Sequence, residues 1–108
     1  MVEYVLRLDS VFGSLADPTR RDILRRVTRS ELSVSEIAAH YDMSLAAVSK
    51  HLKILEKARL VARRRKGKRQ LVSARPAALD DAAEYLDWYR NFMETRLDSL
   101  EKYLAEES

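Results

Sequence analysis

The 108-residue chain contains no cysteine, two glycines, two prolines and no long uninterrupted apolar run. The absence of cysteine excludes disulfides, thiolate metal sites and thiol redox switches. So few glycines and prolines argue against a β-sandwich and favour a single helix-rich domain. No apolar run approaches the ~18 residues of a membrane span, and the N-terminus lacks the basic start and apolar stretch of a signal peptide. We therefore expect a cytoplasmic protein without a membrane partner.

The charge is unevenly distributed along the chain. Residues 1–76 carry 17 Lys and Arg against 8 Asp and Glu, whereas residues 77–108 carry 3 against 9. The net charge of +3 therefore combines a basic body of +9 with an acidic C-terminal segment of −6. This asymmetry indicates that one surface meets a polyanion while the other faces water or a protein partner. An ordinary solvated charge pattern is the alternative.

Capping residues and hydrophobic periodicity predict four helices before residue 60. Apolar residues at helical spacing place the first at about 3–15. Asp17 suits the N-cap and Pro18 the first position of a second helix, which we expect to end near Arg29. Two short helices with a tight turn between them follow over residues 33–58, the arrangement of a helix-turn-helix.

The helix-turn-helix has local signals at each boundary. Ser33 and Glu36 have the spacing of a capping box, and Ser44 caps the second helix. Asp42 occupies the turn, where it tolerates left-handed backbone better than most residues. The predicted apolar faces are Val34, Ile37, Ala38 and Tyr41 on the first helix, and Leu45, Val48, Leu52 and Leu55 on the second.

Residues 60–74 have the character of a short basic β-hairpin. Strand-like segments flank Lys66-Gly67-Lys68, where Gly67 can adopt the positive φ of a turn. Six of the seven residues 63–69 are positively charged, and such charges at a hairpin tip meet backbone phosphates or enter the minor groove. Alternatively, they only protect exposed strand edges. A helix-turn-helix followed by a basic hairpin predicts a winged helix-turn-helix, mainly α with a small β-hairpin.

Four stretches in colinear order connect residues 12–75 to one protein family. They are LADPTRRDIL at 15–24, ELSVSEIA at 31–38, MSLAAVSKHLKIL at 43–55, and Leu60-Val61 with the hairpin. In these stretches the chain resembles the ArsR/SmtB family of bacterial winged-helix transcriptional repressors. The resemblance implies a homodimer that binds an inverted-repeat operator in double-stranded DNA and represses its own or a neighbouring operon.

Within that resemblance the second helix of the motif is the recognition helix, which lies in the major groove. Its predicted DNA-contacting residues are Ser44, Ala46, Ala47, Ser49, Lys50 and Lys53. The predicted wing contacts are Arg63, Arg64, Arg65, Lys66, Lys68 and Arg69. We interpret His51 as a packed or capping side chain rather than as a reader of bases.

The positions that bind metal in sensing members of the family are not filled by ligands. Ser33-Val34-Ser35 stands where the arsenic type has Cys-Val-Cys, and hydroxyls do not replace soft thiolates. Residues 77–108 contain no histidine for the zinc type, since the two histidines are His40 and His51. We therefore predict no metal site and no cofactor, and leave the effector open.

A long C-terminal helix is predicted over residues 77–106. At ~1.5 Å per residue its roughly 26–30 residues extend about 40 Å, further than a winged-helix body, so part of its apolar stripe needs a second subunit. The predicted dimer interface consists of Val5, Leu8, Phe12, Leu86, Tyr89, Met93, Leu97, Leu100 and Leu104. The aromatic cluster Tyr85, Trp88, Tyr89 and Phe92 is interpreted as core packing, with an effector pocket as the alternative.

These features favour a homodimeric, sequence-specific DNA-binding regulator, most simply a repressor that does not sense metal. The alternative is a winged-helix module that binds protein instead of DNA through the stripe on residues 79–104. An enzyme is poorly supported, because the sequence offers no nucleophile–base pair, phosphate loop or metal cluster.

Overall fold

A computed structural model describes residues 2–107, which form five helices and three short strands. The order is α1 (Val2–Ser14), α2 (Pro18–Arg29), β1 (Leu32–Ser33), α3 (Val34–Ala38), α4 (Leu45–Lys57), β2 (Val61–Lys66), β3 (Arg69–Ala74) and α5 (Ala77–Glu107). The mainly helical class, the basic hairpin and the long C-terminal helix agree with the sequence prediction. None of the helices in this described range has the length and apolar content that crossing a bilayer requires.

The segment between α1 and α2 secures both helices. The Asp17 carboxylate accepts a hydrogen bond from the Arg20 backbone N–H at 3.0 Å, which caps α2 as predicted. The guanidinium groups of Arg20 and Arg21 reach back and donate to the carbonyl oxygens of Ser14 at 2.6 Å and Leu15 at 2.8 Å. These carbonyls lie at the C-terminal end of α1 and lack intrahelical partners. The Asp-Pro-Thr-Arg-Arg run therefore ends one helix and begins the next.

The predicted capping pattern of the helix-turn-helix is confirmed. The Ser33 backbone N–H donates to Glu36 Oε1 at 3.0 Å, and the Glu36 N–H donates to Ser33 Oγ at 3.1 Å. Ser44 Oγ accepts from the Ala47 N–H at 3.1 Å at the start of α4. These bonds satisfy donors that the helices leave free, so short helices begin at defined residues.

Two expectations for this motif are wrong. Leu45 is 57% exposed and does not join Val48, Leu52 and Leu55 on the buried face of α4. As the first residue of α4, it projects beyond the contact with α3. Asp42 does not adopt left-handed backbone, because Arg59 is the one non-glycine residue with positive φ in the described range. The six-residue connection over 39–44 is long enough to turn without it.

The three strands form an antiparallel sheet with β3 in the centre. Val72 of β3 pairs with Leu32 of β1 on one side and with Arg63 of β2 on the other. Gly67 has a φ of 63° in the tight turn between β2 and β3, as predicted. Strand β1 was not predicted, because two residues carry no alternating pattern and Ser33 is already recognisable as a helix cap.

The C-terminal end of α4 is a Schellman motif with an arginine in the left-handed position. The Leu60 N–H donates to the Leu55 carbonyl at 3.0 Å, and the Arg59 N–H donates to the Glu56 carbonyl at 2.9 Å. Arg59 has a φ of 63°. Glycine is the usual residue there, because its missing Cβ removes the steric penalty. No glycine stands at this helix end, so the sequence does not predict the motif.

The core lies where the first four helices meet the sheet. Its buried residues are Leu8, Val11, Ile23, Leu24, Val27, Ile37, Val48, Leu52, Leu55, Ala58, Leu60, Val61, Val72 and Ala82. Ala82 is the contribution of α5, and every described side chain from residue 83 to 107 is exposed. At ~1.5 Å per residue, α5 is about 46 Å long. Most of this helix therefore extends from the body as an arm, and the longest dimension of the molecule is 68 Å.

Candidate nucleic-acid interface

Helix α4 has one face fixed in the core and one face open to solvent. Val48, Leu52 and Leu55 are fully buried and hold the helix in place. Burying three such side chains contributes roughly 1.5–3 kcal/mol each, so the orientation of α4 is firmly determined. Lys50 and Lys53 are exposed on the other face, and neither has an ion-pair partner within residues 2–107. The helix thus presents free cations from a rigid base.

The other predicted recognition-helix residues differ in accessibility. Ser44 and Ala46 are exposed, whereas Ala47 and Ser49 are half-buried. The Ser44 oxygen already accepts the Ala47 N–H, so its hydroxyl proton remains as the group that can donate to a phosphate. The small exposed side chain of Ala46 leaves the helix surface accessible to a groove wall.

His51 is packed between α2 and α4. Its Nδ1 lies 3.4 Å from a terminal guanidinium nitrogen of Arg20 and 3.8 Å from Asp17 Oδ2. The hydrogen bond from the Arg20 backbone, together with the nearby His51, holds the pKa of the Asp17 carboxyl below its ordinary value. His51 therefore ties α4 to the Asp17 turn, which agrees with its interpretation as a packed side chain.

The wing contains two kinds of cation. Arg64 donates two hydrogen bonds to Glu31, at 3.0 and 2.8 Å, and Arg69 lies 2.5 Å from Glu36 Oε1. The Arg64 hydrogen bonds lower the pKa of the Glu31 carboxyl, so this pair stays ionised near neutral pH. Arg65, Lys66 and Lys68 have no ion-pair partner in the described part of the chain, although Arg65 Nε donates to the Gly67 carbonyl at 3.3 Å.

Arg63 does not belong to the exposed wing surface that the sequence predicted for it. Its side chain is 15% exposed and lies 3.6 Å from Glu56 of α4. Arg63 is the third residue of β2, further from the turn than Arg65, and its guanidinium lies beside Glu56 near the C-terminal end of α4. It connects the hairpin to α4 instead of facing solvent.

The acidic partners of these arginines were missed by sequence reasoning. Glu31 and Glu36 each pair with an arginine 33 positions away. No local spacing relates residues so far apart. The pairs form because β1 lies beside β3, which brings the start of α3 next to the hairpin.

Helices α1 and α5 present the apolar residues that the sequence assigned to a dimer. On α5 the exposed members are Leu86, Tyr89, Met93, Leu97, Leu100 and Leu104, and on α1 Val5 is exposed and Phe12 is half-buried. Leu8 is different, because it is 8% exposed and lies in the core of the single chain. Helix α1 turns this residue inwards, towards the body.

The aromatic residues of α5 form a ladder along its surface. Phe12 of α1 contacts Tyr85 edge-on at 5.7 Å between ring centroids, and Trp88 stacks on Phe92 at 5.6 Å. Tyr85 and Trp88 are 5.8 Å apart and complete the series. Trp88 is 58% exposed, so the interpretation of this cluster as core packing is wrong for the single chain. Tyr85 still contacts α1 through Phe12, and the helix extends away from the body beyond it.

The positions at which the arsenic type of the family has thiolates carry Ser33 and Ser35. Ser33 Oγ is engaged in the capping box, and Ser35 and His40 are exposed. No group of three or more His, Asp or Glu side chains with metal-binding geometry occurs within residues 2–107.

Comparisons with known proteins agree with this geometry. A family model described as a helix-turn-helix domain matches residues 15–64. The chain is 33% identical over 86 residues to the transcriptional repressor SdpR of Bacillus subtilis, covering 80% of this chain and 92% of the relative. An ArsR-like transcriptional regulator from Rhodococcus sp. RHA1 is similar in structure, with a TM-score of 0.74, 31% identity and coverage of 91% and 92%.

A second solved structure is similar in fold and is described as a dimer. It is the homodimeric winged helix-turn-helix DNA-binding domain Mb0332 from Mycobacterium bovis, determined by NMR. Its TM-score is 0.60 at 28% identity, and the match covers 86% of this chain and 81% of that domain.

Proposed function

Because this chain belongs to the ArsR/SmtB family of winged helix-turn-helix transcriptional regulators, we propose that it is a homodimeric repressor that binds a specific operator and senses no metal directly. The family consists of transcriptional regulators, so the chain is a regulator and not an enzyme. The observation that carries the proposal is a pair of exposed cationic elements, one on α4 and one at the hairpin tip, whose charges have no ion-pair partner within residues 2–107.

The recognition helix supplies the sequence-reading part of the proposed interface. An α-helix fits the major groove, where lysine donates to the acceptor edge of guanine and small side chains contact thymine methyl groups. Lys50 is exposed, and Ser49 and Ala47 lie beside it on the helix. Ser44 at the helix start offers a hydroxyl to the phosphate backbone.

The wing supplies the sequence-independent part. Arg65, Lys66 and Lys68 surround the turn at Gly67 and are free to neutralise phosphates. Arg64 and Arg69 contribute less, because their charges are already compensated by Glu31 and Glu36. The acidic C-terminal segment repels DNA, which keeps α5 away from the duplex.

The exposed stripe of α5 supports the dimer. Leu97, Leu100 and Leu104 are each more than half exposed, and a contiguous row of exposed apolar side chains marks an interaction surface. A second copy covers the row by twofold symmetry, and the related domain from Mycobacterium bovis is a homodimer. A twofold protein places two recognition helices about one DNA turn (~34 Å) apart, which matches an inverted repeat.

Repression without a metal rests on the relatives and on the ligand positions. The Bacillus subtilis relative is a transcriptional repressor. Ser33 and Ser35 replace the thiolates of the arsenic type, and Ser33 Oγ is engaged in the capping box. These serines leave no soft ligand for a thiophilic metal.

The test is a mobility-shift titration of the full chain on its own upstream DNA, at two salt concentrations, with and without EDTA. We expect a palindrome-dependent complex that weakens steeply as salt rises and is unchanged by EDTA. Scrambling one half-site should abolish the dimeric complex. Loss of the complex in EDTA would contradict the metal-free part of the proposal. Equal binding to the upstream DNA and to the DNA with one scrambled half-site would contradict sequence specificity.

A second candidate function is a module that binds protein. The exposed aromatic ladder of α5, with Trp88 58% exposed, favours it. Absence of binding even to bulk DNA at low salt would support this alternative, because phosphate neutralisation is strongest under that condition.

A further inference from the structure

An open cleft lies between α1, the C-terminal end of α4 and the beginning of α5. Its volume is about 700 Å³, within the range of sites for small organic ligands. The apolar part of its wall includes Leu6 and Val11 of α1 and Ala78 of α5. The cleft thus lies between α1 and α5, which belong to the predicted dimer interface, and α4, the predicted recognition helix.

The polar part of the wall is strongly cationic. Lys57, Arg59 and Arg75 line the cleft, and none of their side chains has a hydrogen-bond or ion-pair partner within residues 2–107. The single carboxylate of the wall, Asp81, is neutralised by Arg7 at 3.3 Å. Three uncompensated positive charges therefore face one cavity that also has an apolar floor.

The cleft cations lie at the edge of the surface proposed for DNA. Lys57 is one helical turn beyond Lys53, and Arg59 follows the end of α4. Arg75 follows the end of β3, about 23 Å along the chain from Lys68 at the hairpin tip. Arg75 is therefore not explained by phosphate contacts of the wing, and it joins Lys57 and Arg59 because all three line the cleft.

Arg59 is also held in a backbone conformation that disfavours it. Its φ of 63° lies in the left-handed region at the C′ position of a Schellman motif, where glycine carries no steric penalty. An arginine at this position costs stability that a glycine would not. Strained residues of this kind cluster at functional sites. Since the Arg59 side chain lines the cleft, binding gives a reason for its presence.

We infer that this cleft binds a small amphipathic carboxylate, with its head paired to Lys57, Arg59 and Arg75 and its hydrocarbon body against Leu6, Val11 and Ala78. Guanidinium groups bind carboxylates in a bidentate fork, and lysine adds a point charge. The apolar wall excludes water from the ligand body. This binding does not require that the protein bind DNA, so it stands apart from the proposed function.

The test is calorimetric titration of the full chain with decanoate. Two further compounds separate the role of the carboxylate head from that of the hydrocarbon tail. Decyltrimethylammonium has the same tail with a positively charged head, and acetate has the carboxylate without the long tail. We expect saturable binding of one decanoate per chain and at least tenfold weaker binding of the other two. Equal affinity for decyltrimethylammonium would overturn the role of the cations, and equal affinity for acetate would overturn the role of the apolar wall.

Variants locate the site. Arg59→Gly should weaken decanoate binding at least tenfold while its thermal midpoint stays equal or rises, which a merely destabilised protein would not show. The double variant Lys57→Gln with Arg75→Gln should weaken binding at least as much. The matched control, Arg65→Gln with Lys68→Gln, removes the same charge at the hairpin tip and should leave binding unchanged. Undiminished binding to both cleft variants, or an equal loss in the control, would refute the site.

Discussion

The Tyr41 hydroxyl donates a hydrogen bond of 2.5 Å to Oδ2 of Asp22, and so connects the helix-turn-helix to α2. Asp22 also accepts from Arg26 at 2.9 Å, and the Arg26 guanidinium lies over the Tyr41 ring at 5.8 Å. The hydrogen bonds from Tyr41 and then Arg26 lower the pKa of the Asp22 carboxyl. This trio fixes the connection between α3 and α4 against the rest of the body.

Removing the Tyr41 hydroxyl should destabilise the fold. Tyr41→Phe leaves the ring in place and deletes a charge-assisted hydrogen bond, so we expect a loss of about 1–2 kcal/mol in the free energy of unfolding. Urea denaturation measures it. Tyr103→Phe removes a hydroxyl from a largely exposed ring and serves as the matched control. Equal stability of both variants would show that the Tyr41–Asp22 bond contributes nothing.

The same hydroxyl predicts a pH dependence in alkali. Burial, and then the hydrogen bond to Asp22, raises the pKa of Tyr41 from its ordinary 10.0 to about 12. Because the pKa of Tyr41 is higher in the folded than in the unfolded protein, its protonated hydroxyl stabilises the fold fully below pH 10. This contribution is lost as the pH rises towards 12. The difference in unfolding free energy between the wild type and Tyr41→Phe should therefore shrink over this interval. A difference that is constant from pH 9 to 12 would contradict the assignment.

Lys50 should determine specificity more than overall affinity. Lys50→Ala removes an exposed donor of α4, and we expect operator binding to weaken by about 1–3 kcal/mol with a smaller loss on non-specific DNA. Ser49→Ala should act in the same direction but less, because Ser49 is half-buried. Fluorescence anisotropy on the operator and on a scrambled duplex measures both losses. Lys53→Ala, which removes a second exposed lysine of α4, is the comparison. If Lys50→Ala weakens binding to the operator and to the scrambled duplex equally, Lys50 contacts phosphates and not bases.

The free cations of the wing should set the salt dependence. Replacing Arg65 and Lys68 with Ala should lower affinity for all sequences and reduce the slope of log affinity against log salt by about 2. Adding Arg64→Ala should change the slope little further, because Arg64 is paired with Glu31. The control is Arg90→Ala with Arg96→Ala, which removes the same charge from the acidic helix α5. An unchanged slope in the wing variant would remove the hairpin from the interface.

A charge in the stripe of α5 should dissociate the dimer. Leu97→Glu places a carboxylate among apolar side chains that a second copy is proposed to cover, so we expect at least a hundredfold weaker self-association by sedimentation equilibrium. Thr95→Glu adds the same charge on the opposite side of α5 and should leave the dimer intact. A dimer that survives Leu97→Glu unchanged would show that this stripe is not its interface.

Much of the fold was determined by short-range sequence signals. Asp17, the Ser33–Glu36 pair and Ser44 act on backbone groups within three residues, and Gly67 acts at its own turn. The physics of such signals is contained in a few adjacent residues, so the sequence alone is sufficient to locate three helix boundaries and the hairpin. The free cations of the hairpin tip were also identified in this way.

The accessibility of individual side chains was decided only by the tertiary structure. Arg63 and Arg65 are both arginines of one strand, yet one is covered by α4 and the other is exposed at the tip. Leu8 faces the core whereas Leu97, with the same side chain, is exposed on the arm of α5. The cleft that collects Lys57, Arg59 and Arg75 likewise exists only because α1 and α5 close over the end of α4. The sequence determined which groups are available, and packing between distant segments determined which of them remain free to bind.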